Sequence, residues 1–373
     1  MFQKITDLKK ELLHNKTVLM RVDFNVPLIE GQVQDVFRIQ QVLPTIEYLV
    51  KAGAKVVLIS HLGDKEATLK PVADWLNQFV PVKFSPQVVD KEAVKNLTSG
   101  QVLLLENLRQ HPGEESNDPV LATELAQGAD LYINEAFSVS HRAHASVVGV
   151  AKLLPSYAGF LFSREYEELS RVFKADKPLV VVLGGAKFST KMPVVEKLAP
   201  LADHIFLGGA LVHVLWRKMG YEIGQSLVDS SIKGLDEILK LKNVHLPQDV
   251  VVKKTNGERE NKLPEQVGMQ EVIVDAGTQT VDSIVEAIAA AKFVLWNGPL
   301  GFTEQGFTDS SARIAKAISE SEAYSIVGGG DTVAVLNDLN LLAGFDFVST
   351  AGGASLEFIA SGTLVGIEAL KNK

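Results

Sequence analysis

The chain contains, at residues 179–185, the stretch Leu-Val-Val-Val-Leu-Gly-Gly, in which five aliphatic residues run directly into two glycines. A short apolar run bounded by glycine is typical of a buried β-strand that ends in a tight turn. Further short apolar runs follow it at residues 204–207, 272–275, 293–296, 324–327 and 345–349. Amphipathic segments separate these runs, and this alternation predicts a parallel sheet covered by helices.

The first half of the chain repeats the pattern, with strand-like runs at residues 17–24, 55–60, 101–106 and 131–134. Between the two series, residues 163–174 form a charged stretch without glycine, which predicts a connecting helix. We therefore predict an α/β protein with two doubly wound, Rossmann-like parallel-sheet domains joined by a helix and a hinge. The expected bounds are 1–155 for the first domain, 156–175 for the connecting helix and 176–355 for the second domain.

Composition excludes several classes of protein. The 373 residues include no cysteine, which removes disulfides, thiolate nucleophiles and zinc ribbons. The net charge of −8 argues against nucleic acid or an anionic membrane as a partner. Residues 1–16 lack the pattern of a signal or transit sequence, and no apolar run approaches the roughly 18 residues of a membrane span. We expect a cytoplasmic enzyme.

Glycines gather where the predicted strands of the second half end. They occur at Gly184–Gly185, Gly208–Gly209, Gly328–Gly330 and Gly352–Gly353. One such pair is explained by a tight turn alone, but four of them at one sheet edge favour a phosphate site, because glycine lets backbone amides approach an anion. None has the spacing of a Walker loop or of a dinucleotide-binding loop.

Two kinds of charge accompany these glycines. Lys187 and Lys191 stand four apart, so they share a helix face, where an anion would relieve their repulsion; a solvated basic face is the alternative. Asp331 follows Gly328–Gly330 directly. It fits either a Mg²⁺ ion beside a phosphate or an ordinary helix N-cap.

The first half concentrates cations and polar side chains near strand ends. They are Arg21, Asp23, Asn25, Arg38, His61, Arg109, His141, Arg142 and His144. Arginine binds carboxylate and phosphate through two hydrogen bonds, so the group favours a phosphorylated acid as ligand, although each arginine alone suits a surface ion pair. No third ligand supports a metal at the two histidines 141 and 144, and we interpret them as pocket lining.

These residues form ordered motifs that resemble the phosphoglycerate kinase family over essentially the whole chain. In the first half they are Arg-Val-Asp-Phe-Asn-Val-Pro at 21–27, Ser-His-Leu-Gly at 60–63, Glu-Asn-Leu-Arg at 106–109 and His-Arg-Ala-His at 141–144. In the second half they are Gly-Gly-Ala-Lys at 184–187 with Lys191, Trp-Asn-Gly-Pro at 296–299, Gly-Gly-Gly-Asp-Thr at 328–332 and Gly-Gly-Ala-Ser at 352–355.

The resemblance implies a phosphotransferase with a carboxyl group as acceptor. In such an enzyme the first domain binds 3-phosphoglycerate or 1,3-bisphosphoglycerate, and the second binds ADP or ATP with Mg²⁺. The implied phosphoglycerate residues are Asp23, Asn25, Arg38, His61, Arg109 and Arg142. The implied nucleotide residues are Lys187, Lys191, Gly208, Gly209, Asn297, Pro299, Glu304, Gly328, Gly329, Gly330, Asp331 and Thr332, with Asp331 as the metal ligand.

The implied reaction is glycolytic and reversible, and it moves the acyl phosphate in line to ADP when the hinge closes, without a covalent enzyme intermediate. Arg38, Lys187, Lys191, Gly352 and Gly353 are the implied catalytic residues. The resemblance also implies a monomer whose last residues, about 356–373, pack on the first domain.

The sequence departs from the family at two informative places. Asp64–Lys65 stand in a short loop where the family usually has Arg-Pro, and Ala351 replaces a glycine. These departures keep open an alternative function, a divergent paralogue that binds nucleotide or phosphoglycerate with little or no turnover. A third interpretation, another α/β phosphotransferase or an NAD enzyme, lacks its fingerprint in the sequence.

Overall fold

A computed structural model describes residues 2–230 and 234–371. It has two parallel sheets flanked by helices, which confirms the predicted α/β fold class. The chain forms two compact units. One contains the residues up to Glu167 together with those from Thr363 onward, and the other runs from Glu168 to Gly362.

The first unit is built on a parallel sheet of six strands. The described strands of the unit, six in this sheet and two in a separate ribbon, are β1 (Thr17–Arg21), β2 (Leu28–Ile29), β3 (Gln32–Val33), β4 (Lys55–Ile59), β5 (Val82–Phe84), β6 (Val102–Leu104), β7 (Leu131–Asn134) and β8 (Ser156–Ala158). The sheet order is β5-β6-β4-β1-β7-β8, and β2 pairs with β3 as a separate antiparallel ribbon. The helices are α1 (Phe37–Lys51), α2 (Lys70–Leu76), α3 (Lys91–Lys95), α4 (Pro119–Ala126) and α5 (Val150–Leu153), and α6 (Phe160–Arg171) begins in this unit and continues past its boundary at Glu167.

The apolar pattern explains why these elements pack. All five residues of the central strand β1 are buried, as expected for a strand covered on both faces. Helix α1 buries Ile39, Val42, Ile46 and Leu49, whose spacing of three and four residues places them on one face. That face closes the core over the sheet.

The second unit has a parallel sheet of its own. Its strands are β9 (Leu179–Leu183), β10 (His204–Leu207), β11 (Val244–His245), β12 (Val250–Lys253), β13 (Arg259–Lys262), β14 (Val272–Ala276), β15 (Phe293–Asn297), β16 (Tyr324–Gly328) and β17 (Phe347–Val348). The parallel sheet has the order β11-β10-β9-β15-β16-β17. The helices are α7 (Phe188–Leu198), α8 (His213–Met219), α9 (Leu235–Leu239), α10 (Thr278–Ala290), α11 (Asp309–Ser319), α12 (Gly330–Asp338) and α13 (Gly353–Ser361), and α14 (Val365–Lys371) follows within the first unit.

One predicted strand lies in a different sheet from the one expected. Residues 272–275 do form a strand, β14, but it belongs to a three-stranded antiparallel sheet of order β13-β12-β14. The physical reason is pairing with β12, whose residues alternate between buried and half-buried as in a sheet covered on one face. The sixth place in the parallel sheet is taken by β11, which has only two residues and gives little apolar signal.

Two further features concern helices. The predicted connecting helix is present as α6, and a 3₁₀ turn at Val172–Lys174 continues it.

No single described helix is long and apolar enough to span a membrane, although one bent pair, α13 with α14, meets the length and composition conditions when taken together.

The buried carboxylate of Asp249 ties α10 to the antiparallel sheet and generates a stability prediction. Its two oxygens accept hydrogen bonds from Thr280 N at 2.8 Å, Gln279 N at 3.0 Å and Asn261 Nδ2 at 2.6 Å. Replacing Asp249 with Ala leaves these donors unpaired and should lower the free energy of unfolding by about 2 kcal/mol, measured by urea denaturation.

The matched control is Asp282→Ala on α10, the helix that Asp249 binds. That carboxylate is 60% exposed and pairs with Arg313, so its removal should cost less than about 1 kcal/mol. Equal effects of the two substitutions would contradict the assigned role of Asp249.

Candidate functional site

The carboxyl edge of the second parallel sheet brings all four glycine junctions together. Strands β10, β9, β15, β16 and β17 are neighbours in the sheet, and each of the predicted glycine groups lies at or beyond the end of one of them. The segment after β15, Gly298–Pro299, lies between the groups that follow β9 and β16. Segments far apart in sequence therefore form one continuous backbone surface.

Close backbone approach explains why glycine is needed on this surface. A Cβ added to Gly184 would lie 2.0 Å from the Pro299 carbonyl oxygen, and one added to Gly298 would lie 2.3 Å from the Gly184 oxygen. Gly185 has φ +103°, and its N–H donates to Pro299 O at 3.0 Å. Gly185 itself has open space where a Cβ would be. The surface is therefore accessible at Gly185, although Gly184 and Gly298 next to it are tightly packed.

The same edge includes the remaining predicted glycines. Gly209, with φ +61°, approaches the Gly185 backbone, and Gly208 packs on Leu300. Gly352 precedes α13 with φ +54°. Ala351, by contrast, is buried and is not among the described residues with positive φ, so the alanine fits there without backbone strain.

Lys191 is the buried cation of this edge. Its side chain is 8% exposed, and Nζ donates to Asn297 O at 3.2 Å and to Asn297 Oδ1. Burial lowers the pKa of Lys191 to about 8, although the Asp331 carboxylate acts in the opposite direction. The ammonium is therefore charged near pH 7 but held without full solvation. Lys187, four residues earlier, is exposed at the start of α7.

Asp331 lies in the first turn of α12, whose N-cap residue is Gly329, so Asp331 is not the ordinary N-cap that the sequence also allowed. Its carboxylate is exposed, whereas the next residue, Thr332, is buried and accepts a hydrogen bond from Gly298 N at 2.9 Å. Glu304 is exposed in a 3₁₀ turn, and no described hydrogen bond or ion pair joins it to Lys191.

In the first unit, Asp23 joins two of the predicted site residues. Its carboxylate accepts a hydrogen bond from Arg38 Nη1 at 3.0 Å and lies 3.9 Å from His61 Nδ1. Ser138, which the sequence did not single out, also donates to it. Burial alone would raise the pKa of Asp23, but the Arg38 guanidinium and the hydrogen bond from Ser138 hold it below its usual value. Burial and the Arg21 guanidinium lower the pKa of His61 to about 3, so its imidazole is neutral near pH 7.

A buried network behind these residues escaped sequence reasoning. Arg21 is fully buried, and its Nε donates to Ser146 Oγ at 2.8 Å. Ser146 in turn donates to the buried Glu114, which lies 3.6 Å from His144. The one available signal was an arginine inside an apolar strand, because a buried cation requires a partner. The sequence gives no sign that Glu114 supplies it.

Arg109 differs from Arg21 in having a buried donor without a described partner, and Arg142 lies near it. The buried Nε of Arg109 has no hydrogen-bond acceptor among the described residues, although Nη1 pairs with Glu115. Burial and the nearby Arg142 lower the pKa of Arg109. The exposed Arg142 donates through Nε to His141 Nε2 at 3.1 Å. An anion at this edge would satisfy the unpaired donor and offset the repulsion between the two guanidinium groups.

Comparison with known proteins gives matches that extend over both units of the chain. The family model described as phosphoglycerate kinase matches residues 5–362. A phosphoglycerate kinase of Coprothermobacter proteolyticus is 41% identical, covering 98% of this chain and 99% of the relative, and one from Thermus thermophilus is 42% identical, covering 95% and 97%. The solved structure of phosphoglycerate kinase from Coxiella burnetii has a TM-score of 0.84 at 36% identity, covering 100% of this chain and 99% of that one.

The fold and these matches define a phosphotransferase that uses a carboxyl group as acceptor. The chain belongs to the phosphoglycerate kinase family. None of the matches supports the alternative of a divergent paralogue with little turnover.

The buried ammonium of Lys191 predicts a dependence of stability on pH. Its pKa is about 8 in the folded protein against 10.5 when solvated, so the folded state loses this proton first as the pH rises. Stability attributable to Lys191 should therefore increase between these values. From about pH 7.5 to about pH 9.5 the free energy of unfolding of the wild type should rise by about 2 kcal/mol relative to Lys191→Met, measured by urea denaturation.

The control is Lys187→Met, which removes an exposed ammonium nearby. Its stability difference from the wild type should stay constant over the same range. A constant difference for Lys191→Met as well would show that Lys191 is not desolvated.

Proposed function

We propose that the two sheet edges bind the two substrates of the phosphoglycerate kinase reaction, one edge for each substrate. In that reaction the acyl phosphate of 1,3-bisphosphoglycerate passes reversibly to ADP and yields 3-phosphoglycerate and ATP. The observation that carries the proposal is that the family match covers residues 5–362, which include both edges.

The first unit's edge binds the phosphoglycerate. Arg109 and Arg142 hold a phosphate group, since their guanidinium groups lie near one another and the buried Nε of Arg109 has no acceptor among the described residues. Arg38, oriented by Asp23, reaches the carboxyl end of the substrate, and Asn25 and His61 provide neutral hydrogen bonds. The neutral state of His61 means that it binds by hydrogen bonding rather than by charge.

The second unit's edge binds the nucleotide. Gly208, Gly209 and Pro299 form the surface for adenosine, whose flat ring suits a surface of glycine backbone and a proline ring. The phosphates lie at the start of α12 and beside Lys191 and Asn297, where amide N–H groups and an ammonium favour negative charge. Thr332 fixes the Gly298 turn through its hydroxyl, and Glu304 lies in the segment after Pro299 that faces the ribose.

The chemistry is an in-line displacement at phosphorus. The bond from phosphorus to the carboxyl oxygen breaks as a bond to a β-phosphate oxygen of ADP forms, and charge spreads over the three remaining oxygens. Arg38, Lys187, Lys191 and the amides of Gly352 and Gly353 stabilise that charge. None of these groups becomes bonded to the phosphoryl group.

Asp331 is the residue that would hold Mg²⁺. Among the described residues no group of three or more metal-ligating side chains occurs, which fits an ion that takes one carboxylate and completes its shell with water and nucleotide phosphates. The exposed position of Asp331 beside Lys191 agrees with this donor set. When bound, the ion neutralises phosphate charge.

We also propose a cytoplasmic monomer whose partners are these small molecules, without nucleic acid or membrane. Hinge closure, implied by the family resemblance, belongs to this proposal. The negative charge of the chain and its division into two compact units support it.

The proposal predicts the effect of removing one cation from each edge. In a coupled assay with 3-phosphoglycerate and Mg-ATP, the wild type should turn over at about 1 to 10³ per second. Arg38→Ala and Lys187→Ala should each lower kcat by about 10²-fold or more, because each removes charge stabilisation of the transferring group. The matched control is Arg313→Ala, whose surface guanidinium pairs with Asp282. No turnover by the folded wild type would contradict the proposal.

A second prediction concerns Mg²⁺. Asp331→Asn should raise the Mg²⁺ concentration needed for half-maximal activity by about tenfold, because an amide binds the ion more weakly than a carboxylate. Asp338→Asn, at the exposed far end of the same helix, is the control and should leave it unchanged. An unchanged Mg²⁺ dependence in Asp331→Asn would remove this residue from the metal site.

A further inference from the structure

Asn107 has a fully buried side chain that uses its whole hydrogen-bonding capacity on one loop and one turn. It follows β6 and precedes the 3₁₀ turn Leu108–Gln110. Its Oδ1 accepts from Leu62 N and from Arg109 N, both at 3.0 Å. Its Nδ2, which carries two hydrogens, lies within hydrogen-bond distance of the carbonyl oxygens of Leu62 at 2.8 Å, Asp64 at 2.8 Å and Ala67 at 2.9 Å.

The neighbouring Glu106 closes the other end of the same loop. Its buried carboxylate accepts from Thr68 Oγ1 at 2.6 Å and from Leu69 N at 2.8 Å. The two side chains therefore bind both ends of the segment 62–69. This is the short loop in which Asp64 and Lys65 stand in place of the family's usual Arg-Pro.

This loop is connected to three residues proposed to bind phosphoglycerate. It begins directly after His61, and Gly63 N donates to Asn25 Oδ1 at 2.8 Å. Arg109 lies in the 3₁₀ turn that follows Asn107, and the Asn107 side chain caps the start of that turn. One amide thus fixes the backbone next to His61, Asn25 and Arg109 at once.

Asp64 and Lys65 themselves are exposed, and the loop backbone is turned inward onto Asn107. The loop therefore acts through the position of its backbone rather than through a charged side chain of its own. Removing a buried amide with several partners is costly, because the backbone groups that it binds lose their shortest hydrogen bonds.

We propose that Asn107 is a positioning residue for the phosphoglycerate site: it holds the 62–69 loop and the Arg109 turn in the substrate-binding arrangement before the substrate arrives. The inference rests on the proposed binding roles of Asn25, His61 and Arg109. The inference also explains what holds the backbone of this short loop in place beside those three residues.

The test is steady-state kinetics of the full chain carrying Asn107→Ala or the milder Asn107→Ser. The Michaelis constant for 3-phosphoglycerate should rise by about tenfold or more, which corresponds to about 1.4 kcal/mol, and that for Mg-ATP should not change. Arg109→Ala, run alongside, reports on the proposed function itself by raising the same constant.

The matched control is Asn77→Ala. Asn77 lies in the same unit and likewise uses its side chain on backbone, donating to Ala73 O and Val82 O and accepting from Val82 N. It contacts none of the three proposed binding residues through these bonds. Asn77→Ala should therefore lower the melting temperature without changing either Michaelis constant.

Several results would overturn the proposal. An unchanged constant for 3-phosphoglycerate in both Asn107 variants, while Arg109→Ala raises it, would leave the proposed function intact and remove Asn107 from it. Equal increases for both substrates would reduce Asn107 to a stability role. An Arg109→Ala variant without effect on 3-phosphoglycerate would instead count against the binding site itself.

Hydrogen exchange of the wild type tests the arrangement without any variant. The amides of Leu62 and Leu69, which are bound by Asn107 and Glu106, should be protected from exchange in the ligand-free protein. Rapid exchange of both, with slowing only after 3-phosphoglycerate is added, would show that the substrate orders the loop and would overturn the proposal.

Discussion

The close approach of two backbones, at Gly184 and Gly298, is the constraint on which the second unit depends. The carbonyl oxygens of Pro299 and Gly184 occupy the space that a Cβ on either glycine would need. Because β9 and β15 are neighbours, this approach draws their following loops into one surface and leaves Lys191 within reach of Asn297. The phosphate site proposed at this edge thus depends on backbone packing, and the buried ammonium of Lys191 supplies the positive charge beside it.

In the first unit, buried side chains rather than close backbone contacts arrange the edge of the sheet. Arg21 is buried with Ser146 and Glu114 close by, so it belongs to the internal structure. Arg109 keeps a buried Nε without an acceptor in the described part of the chain, and this difference from Arg21 supports the ligand-binding role proposed for Arg109. Sequence alone could not separate the two, since both are arginines near the end of an apolar strand.

The fold class, the connecting helix and the convergence of four glycine groups could be predicted because each depends on local pattern. The sheet that contains β14 could not, since strand pairing is decided by partners distant in sequence. Likewise, the apolar pattern contains no mark that Asn107 binds the 62–69 loop or that Glu114 lies near Arg21. The competing interpretation of Asp331 as an N-cap was open in the sequence, and only the start of α12 at Gly330 decided it.

The edge formed by backbone in the second unit and the edge formed by side chains in the first tolerate different substitutions. An edge that binds through backbone amides accepts many side chains but no Cβ where φ is positive, as at Gly352, whereas Ala351 beside it carries a side chain because its backbone is ordinary. An edge built from side-chain networks accepts backbone variation in its loops, such as a shortened 62–69 segment, provided that a buried amide still binds the loop's carbonyl groups. The departures from the family pattern leave in place the charged groups proposed to stabilise the transferring phosphoryl group, although Asp64 stands where the family usually has an arginine in the 62–69 loop.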